Sequence, residues 1–379
     1  MKIVIKGFKY RIYPTQDQKI QLAKTFGCVR FVYNQLLAKR IDLYKTEQKS
    51  ISKTDCNNYC NRELKKQYLW LKEVDKFALT NSIYDLDSAY QNFFREIKKG
   101  NKNQGFPKFK SKRDHHYSYK TNFTNNNIKV DYENNRIQLP KLKWIKAKLH
   151  REFKGKILFA TISKTPSNKY FVSFNVEVEH EVLLENSNML GFDLGIKEFI
   201  IDTNGTHVDN PRVLKQYEEK LTKLQRQQAK MVKGSNNFKK QSIKIARIHE
   251  KITNIRHDFQ HKLSSKIVND NQVIISEDLM IANMVKNHKL AKAIQDVSWG
   301  EFTKQLKYKS EWNCKIYHKI SPWFASSQIC SDCGHKNKEV KCLSIREWVC
   351  TECGAVHQRD ENASKNILKE GLRELGIAI

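Results

Sequence analysis

Residues 326–367 read SSQICSDCGHKNKEVKCLSIREWVCTECGAVHQRDENASKNI: two Cys-x2-Cys pairs sixteen residues apart, then an acidic entry into a helix. Each pair, Cys330/Cys333 and Cys350/Cys353, is followed by a glycine, Gly334 or Gly354. Glycine permits the tight knuckle in which backbone N–H groups face sulfur. Four thiolates at this spacing fit tetrahedral zinc with no open position, so the expected Zn²⁺ is structural and not catalytic. The residues between the pairs are too poor in apolar side chains to fold alone, which argues against four free thiols. Cys342 lies inside the loop and reads as a spare, and His335 and His357 flank the knuckles as alternative ligands. The other cysteines are scattered, with Cys56 and Cys60 reading as packing residues. Nine cysteines without an export signal suit a metal site in a reducing compartment better than a disulfide framework.

Outward from this stretch lie three carboxylates at predicted element ends. Asp360 follows the second knuckle, where the last helix begins, and an N-cap is its bland alternative. Asp193 sits in GFDLG, a strand segment between glycines, where a structural turn is the default reading. Glu277 ends the apolar strand VIIS, with Asp278 beside it as a competitor. An RNase H-like nuclease needs acids from a first strand, a later strand and a C-terminal helix. Together they hold two divalent cations for phosphodiester hydrolysis. Oxygen ligands select Mg²⁺ or Mn²⁺ over zinc.

The rest of the chain supplies partners and scaffolding. It has 379 residues, a formal charge of +29 and 39% hydrophobic residues, enough for two or three cores. No run of 18 apolar residues occurs, so a membrane-spanning helix is not expected, and the compartment expected is the cytoplasm. The excess of positive charge points to phosphate polyanions. Residues 3–13 alternate as a strand, and helical patterns run from Gln16 to about Ile97. From Arg95 to Arg113 eight Lys/Arg face a single acid, with Phe106 and Phe109 among them. Lys98, Lys99, Lys102, Lys108, Lys110, Lys112 and Arg113 are therefore candidate nucleic-acid contacts. Hairpin signals follow, turning at Asn134-Asn135 and Pro166-Ser167-Asn168. Residues 189–208 read as two strands, and the apolar seams around Leu214–Leu224 and Ile245–Phe259 as a helical hairpin.

These motifs resemble those of the TnpB (OrfB) proteins of bacterial insertion sequences, relatives of type V CRISPR effector nucleases. The resemblance rests on GFDLGIK, VIISEDLMIANM, VSWGEFTKQLKYKSE and the cysteine stretch through ENASKNI. It extends to YRIYPTQDQ, GCVRFVYNQLL and GFPKFKSKRD in the N-terminal half. Ser326 stands where Thr is usual and Ser364 where Ala is usual. The resemblance implies a catalytic, Mg²⁺-holding triad of Asp193, Glu277 and Asp360. It also implies a guide RNA from the transposon end and a double-stranded DNA target beside a short flanking motif. Alternatives are a catalytically silent RNA-guided repressor and a transposase joining DNA ends. The oligomeric state, monomer or dimer, stays open.

The expected architecture is mixed α/β and multidomain. A β-barrel-like wedge domain takes residues 1–13 and 115–188, with a helical recognition domain at 14–114. An RNase H-like (RuvC-type) nuclease domain takes 189–323 and 357–379. It carries a helical hairpin at 211–269 and a zinc-ribbon insert at 324–356.

Overall fold

The computed structural model describes all residues except 102–104, 116, 343 and 379. The chain divides into two compact units, residues 3–179 and residues 180–379 with 1–2.

In the first unit, strand β1 (Lys2–Tyr13) leads into the 32-residue helix α1 (Gln16–Glu47). The helix starts at Thr15 because a capping box closes there. The Thr15 hydroxyl accepts from the Gln18 N–H, and the Gln18 side chain accepts from the Thr15 N–H. Helices α2 (Lys53–Tyr59) and α4 (Lys76–Lys98) pack back on α1 around Val32, Leu36, Leu79, Ile83 and Leu86, and the short α3 (Lys65–Gln67) lies between them in the chain with no buried residue. Cys56 and Cys60 are buried in this core, as ordinary packing residues. Six strands follow: β2 (Tyr117–Asn122), β3 (Lys129–Asp131), β4 (Arg136–Leu139), β5 (Lys143–Lys148), β6 (Lys156–Lys164) and β7 (Tyr170–His180). They form one seven-stranded sheet with β1, in the order β2-β6-β7-β1-β5-β4-β3. The N-terminal strand thus sits mid-sheet, and its period-two alternation buries Val4, Phe8, Tyr10 and Ile12. Both expected turns occur, with Asn135 and Asn168 in the left-handed region.

The second unit is built on a five-stranded sheet, in the order β10-β9-β8-β11-β12. Its strands are β8 (Met189–Leu194), β9 (Glu198–Asp202), β10 (His207–Asp209), β11 (Val273–Glu277) and β12 (Ile316–Ile320). The first three pair antiparallel, while β11 runs parallel to both β8 and β12. Residues 189–208 therefore give three strands, since the three-residue β10 is too short to leave a periodic signal. Between β10 and β11 stands the hairpin of α5 (Val213–Ala229) and α6 (Asn236–Asp270), closed along the expected seam from Leu214 to Ile255. Phe259 leaves that seam and packs on Phe199 at 5.0 Å, in the sheet's own core. Helices α7 (Ile281–Met284), α8 (His288–Val297) and α9 (Trp299–Trp312) precede β12. The two-stranded ribbon β13 (Glu347–Val349) and β14 (Val356–Gln358) leads into α10 (Arg359–Leu375).

The sheet is covered on both faces, and side-chain parity sorts them. Leu190, Phe192, Leu194 and Ile274 pack with residues of α6, α8 and α9, including Val268, Ile294, Trp299, Phe302 and Leu306. Val273, Ile275 and Ile320 pack with Ile367 and Leu372 of α10. Helix α10 comes close because Gly191 lies beneath it. A Cβ there would sit 2.6 Å from the Ser364 carbonyl oxygen.

Candidate active site

Parity also decides where the acids go. Asp193 follows Phe192 on β8, and Glu277 follows Ser276 on β11; Phe192 and Ser276 are register partners on adjacent parallel strands. Their odd-numbered neighbours Gly191 and Ile275 meet α10, so Asp193 and Glu277 leave the strand ends on the α10 face. Asp360 arrives at the same place in the first turn of α10. It is not the cap of that helix: Gln358 is, its side chain accepting from the Glu361 N–H at 2.7 Å. The three carboxylates line one cleft of about 730 Å³, together with Ser326, Arg346 and Arg359. Asp278, the competitor of Glu277, is outside this lining and pairs with Lys319 at 3.0 Å.

Each acid is held differently. Asp193 Oδ1 accepts from the Leu194 N–H at 2.8 Å. Burial first, and then the negative charges of Glu277 and Asp360, push its carboxyl up to about 7. Burial raises Glu277 as well, against the pull of a hydrogen bond donated by the Ser326 hydroxyl. Asp360 takes an ion pair from Arg346 at 3.0 Å. Arg359, facing the same cleft, donates to the Cys342 carbonyl oxygen at 3.2 Å. Arg346 went unmarked in the sequence because it belongs to no spaced set, and Ser326 was marked only as standing where Thr is usual; each gains its meaning from what it touches. Behind Asp360, His207 bridges Glu198 of β9 (2.7 Å) and Glu361 of α10 (3.1 Å), tying the β9–β10 hairpin to the helix start.

The donor set suits a hard cation. Three carboxylates supply only oxygen, and their mutual repulsion shows in the raised Asp193. Among the described residues, the only acid, histidine or cysteine group whose ligand atoms all fall within 4.8 Å of one another is the set of four thiols.

The thiols are Cys330, Cys333, Cys350 and Cys353, with Cys330–Cys353 at 3.7 Å and Cys333–Cys350 at 3.6 Å. A tetrahedron with Zn–S bonds of about 2.3 Å has edges of about 3.8 Å. Gly334 and Gly354 take φ of +80° and +74° and donate back to the Cys330 and Cys350 carbonyls at 2.9 Å, which closes both knuckles. The Cys353 backbone N–H first, and then that of Glu352, pull the Cys350 thiol down to about 6. Neither histidine replaces a ligand. His357 is buried with Nε2 3.0 Å from Cys330 Sγ, and His335 contacts Thr351 and Glu352. Cys342 stays outside the group, 2.9 Å from the Ser344 hydroxyl.

Of the candidate basic contacts, Lys102 lies outside the described residues. The run beyond it is ordered: the Asn34 side chain accepts from the Lys110 N–H and donates to its carbonyl, and Lys110 Nζ lies 4.0 Å from the Tyr33 ring. Lys99 pairs with Glu96 at 3.4 Å. Phe106 stands edge-on to Tyr90 and Phe93 with part of its ring still exposed, and Phe109 is more exposed again.

An acid-lined cleft rimmed by arginines, at the ends of parallel strands, defines a class of proteins that bring cations to a polyanion. Comparison with known sequences narrows it. Residues 173–288 match the OrfB family of IS605-type elements, described as "Probable transposase". Residues 299–367 match a domain described as "Cas12f1-like, TNB domain", and residues 1–49 the family's helix-turn-helix domain, which here is a strand and one long helix. The chain is 34% identical to a protein of Streptomyces pristinaespiralis named "Putative RNA-guided DNA endonuclease", over 98% of this chain and 90% of that one. It is 31% identical to InsQ of Escherichia coli K12, which carries the same description, over 97% and 92% of the two chains. The protein belongs to this TnpB/OrfB family. Its fold is similar to that of the protein in a cryo-EM structure of a Cas12f1–sgRNA–target DNA complex. The TM-score is 0.59 at 12% identity, covering 96% of this chain and 98% of the other.

Proposed function

We propose that the chain is an RNA-guided DNA endonuclease of a transposable element. In this reading Asp193, Glu277 and Asp360 hold two Mg²⁺ ions in an RNase H-like (RuvC-type) domain, and the four cysteines hold one Zn²⁺ in a ribbon inserted before its last helix. The observation that carries it is the convergence of three acids from two strands and a helix into one cleft, with Asp193 raised to about 7 by burial and then by the charges of the other two. The names of the full-length relatives point the same way. The partners are a guide RNA and a matching DNA duplex, with base pairing reading sequence and the protein reading backbone and shape. The proposed organisation is the one expected from the sequence: wedge strands, recognition helices, and a nuclease domain carrying the ribbon.

Divalent cations, when bound, supply the positive charge that activates water and stabilises a leaving oxygen. The chain's own groups prepare for that. Asp193, Glu277 and Asp360 would hold the cations as carboxylates, so Asp193 would bind them in its deprotonated form. The Ser326 hydroxyl holds Glu277 in one orientation, and Arg346 holds Asp360. Arg346, Arg359 and Arg212 on the cleft wall suit a phosphodiester backbone.

The test uses purified protein with its copurified RNA, Mg²⁺ and matched duplex DNA. Cutting with free ends is expected, and Asp193→Ala abolishes it while RNA stays bound. Binding without cutting would support a silent repressor instead, and joined ends a transposase.

A further inference from the structure

Helix α1 carries a half-buried stripe, Gly27, Arg30, Phe31 and Asn34, spaced three, four and seven residues along one face. The stripe forms one wall of a cleft of about 630 Å³ inside the first unit, and Trp70 and Glu73 contribute the opposite wall. Three features of this cleft have no explanation within the chain. Gly27 sits mid-helix, where glycine is the least favourable residue after proline, yet a Cβ there would meet nothing within 4 Å. No close packing inside the fold requires it. The half-buried guanidinium of Arg30 makes no hydrogen bond or ion pair among the described residues, and neither does the Gln35 amide beside it. Trp70 is 40% exposed although it packs edge-on against Phe31 at 4.9 Å, so part of an indole is left open to the cleft.

A missing Cβ, an unpartnered guanidinium and an open aromatic face together suit a flat, polar-edged guest that comes against the helix backbone. We propose that this cleft receives one unpaired nucleotide of the guide RNA, its base against Trp70 and Arg30 and its ribose against Gly27. The proposal rests on the reading that the chain holds a guide RNA. A concave site takes a base turned out of its stack, whereas a duplex groove needs a projecting reader. Of the two cations in the lining, Lys24 is taken up by Glu73 at 2.6 Å, and that carboxylate can also accept from a base amine or a 2′-hydroxyl. Asn34 is not available for reading, since both ends of its amide are closed on Lys110. That bond seats the basic 108–113 segment beside α1, where it can follow the adjoining backbone.

The test measures affinity for the copurified RNA at fixed salt, with full-length protein and the variants Gly27→Leu, Arg30→Gln and Trp70→Ala. Gly27→Leu fills the cleft while improving helix propensity, so a melting temperature equal to or above wild type is expected together with RNA binding weakened roughly tenfold. Trp70→Ala is expected to weaken it by a similar factor, and Arg30→Gln by less. If Gly27→Leu melts lower, Arg30→Gln and Trp70→Ala decide the matter. Variants that hold RNA as wild type does overturn the cleft assignment and leave the nuclease reading standing. Loss confined to duplex DNA, with RNA affinity unchanged, overturns RNA as the occupant. Wild-type protein that retains no RNA overturns this proposal and the guide-RNA reading together.

Discussion

Asp193 is the residue at which, in the proposed reading, stability and activity oppose each other. Its carboxyl is raised from 3.8 to about 7, so the folded chain without a cation holds that proton more tightly than the unfolded chain does. Linkage then makes the cation-free protein lose stability as pH rises from about 4 through 7. Asp193→Asn removes that penalty. The variant is expected to melt a few degrees higher than wild type at pH 8 in chelator, to match it near pH 4, and to cut no DNA; a lower melt at pH 8 would refute the account. His207 has the opposite sign. Hydrogen bonds to Glu361 and then Glu198 raise it above 6.5, so its contribution is complete below that value and fades as pH climbs through the raised one. The melting difference between wild type and His207→Ala is accordingly larger at pH 6 than at pH 9. The acids themselves were legible in the sequence, because each sits at the end of an element that its neighbours define. Arg346 was not, since a lone arginine carries no period or spacing, and Ser326 was legible only as a departure from a motif, its bond to Glu277 being a tertiary fact.

At the scale of elements, α10 does the most to make the site. It covers the Ile275 face of the sheet, and its first turn brings Asp360 to the strand ends. The close approach depends on Gly191, where an added Cβ would strike Ser364 and Leu368. Gly191→Val is expected to lower stability by about 1–3 kcal/mol through overpacking. It should also cut activity more than RNA binding, as read by thermal melting beside cleavage and RNA-affinity assays. The two long helices of the hairpin were readable from their apolar seams. Helix α8 was not, although Leu290, Ile294 and Val297 recur four and three residues apart, because ten residues hold too few turns for that period to stand out. Strand β10 has three residues and is recruited by pairing with β9, which no local signal announces.

Across the whole molecule, the charge of +29 and the cysteine ribbon set the conditions under which the protein exists. Structural zinc of this type supplies on the order of 10 kcal/mol of folding free energy. Cys350→Ser, or prolonged chelation, is therefore expected to lower soluble yield and to melt the ribbon before it affects the 3–179 unit; limited proteolysis with cleavage first in 326–358 would show this. The sequence by itself determined the four thiols, the three acids, the hairpin seams and the polyanionic partner class. These are local facts, carried by spacing, period and composition. Only the tertiary structure decided that β1 lies in the middle of its sheet, that His357 lies against Cys330 Sγ outside the group of four thiols, and that Asp278 is left out of the cleft. Each of those depends on strand register and side-chain parity across segments far apart in the chain, and a one-residue slip in pairing would turn Glu277 away from Asp193.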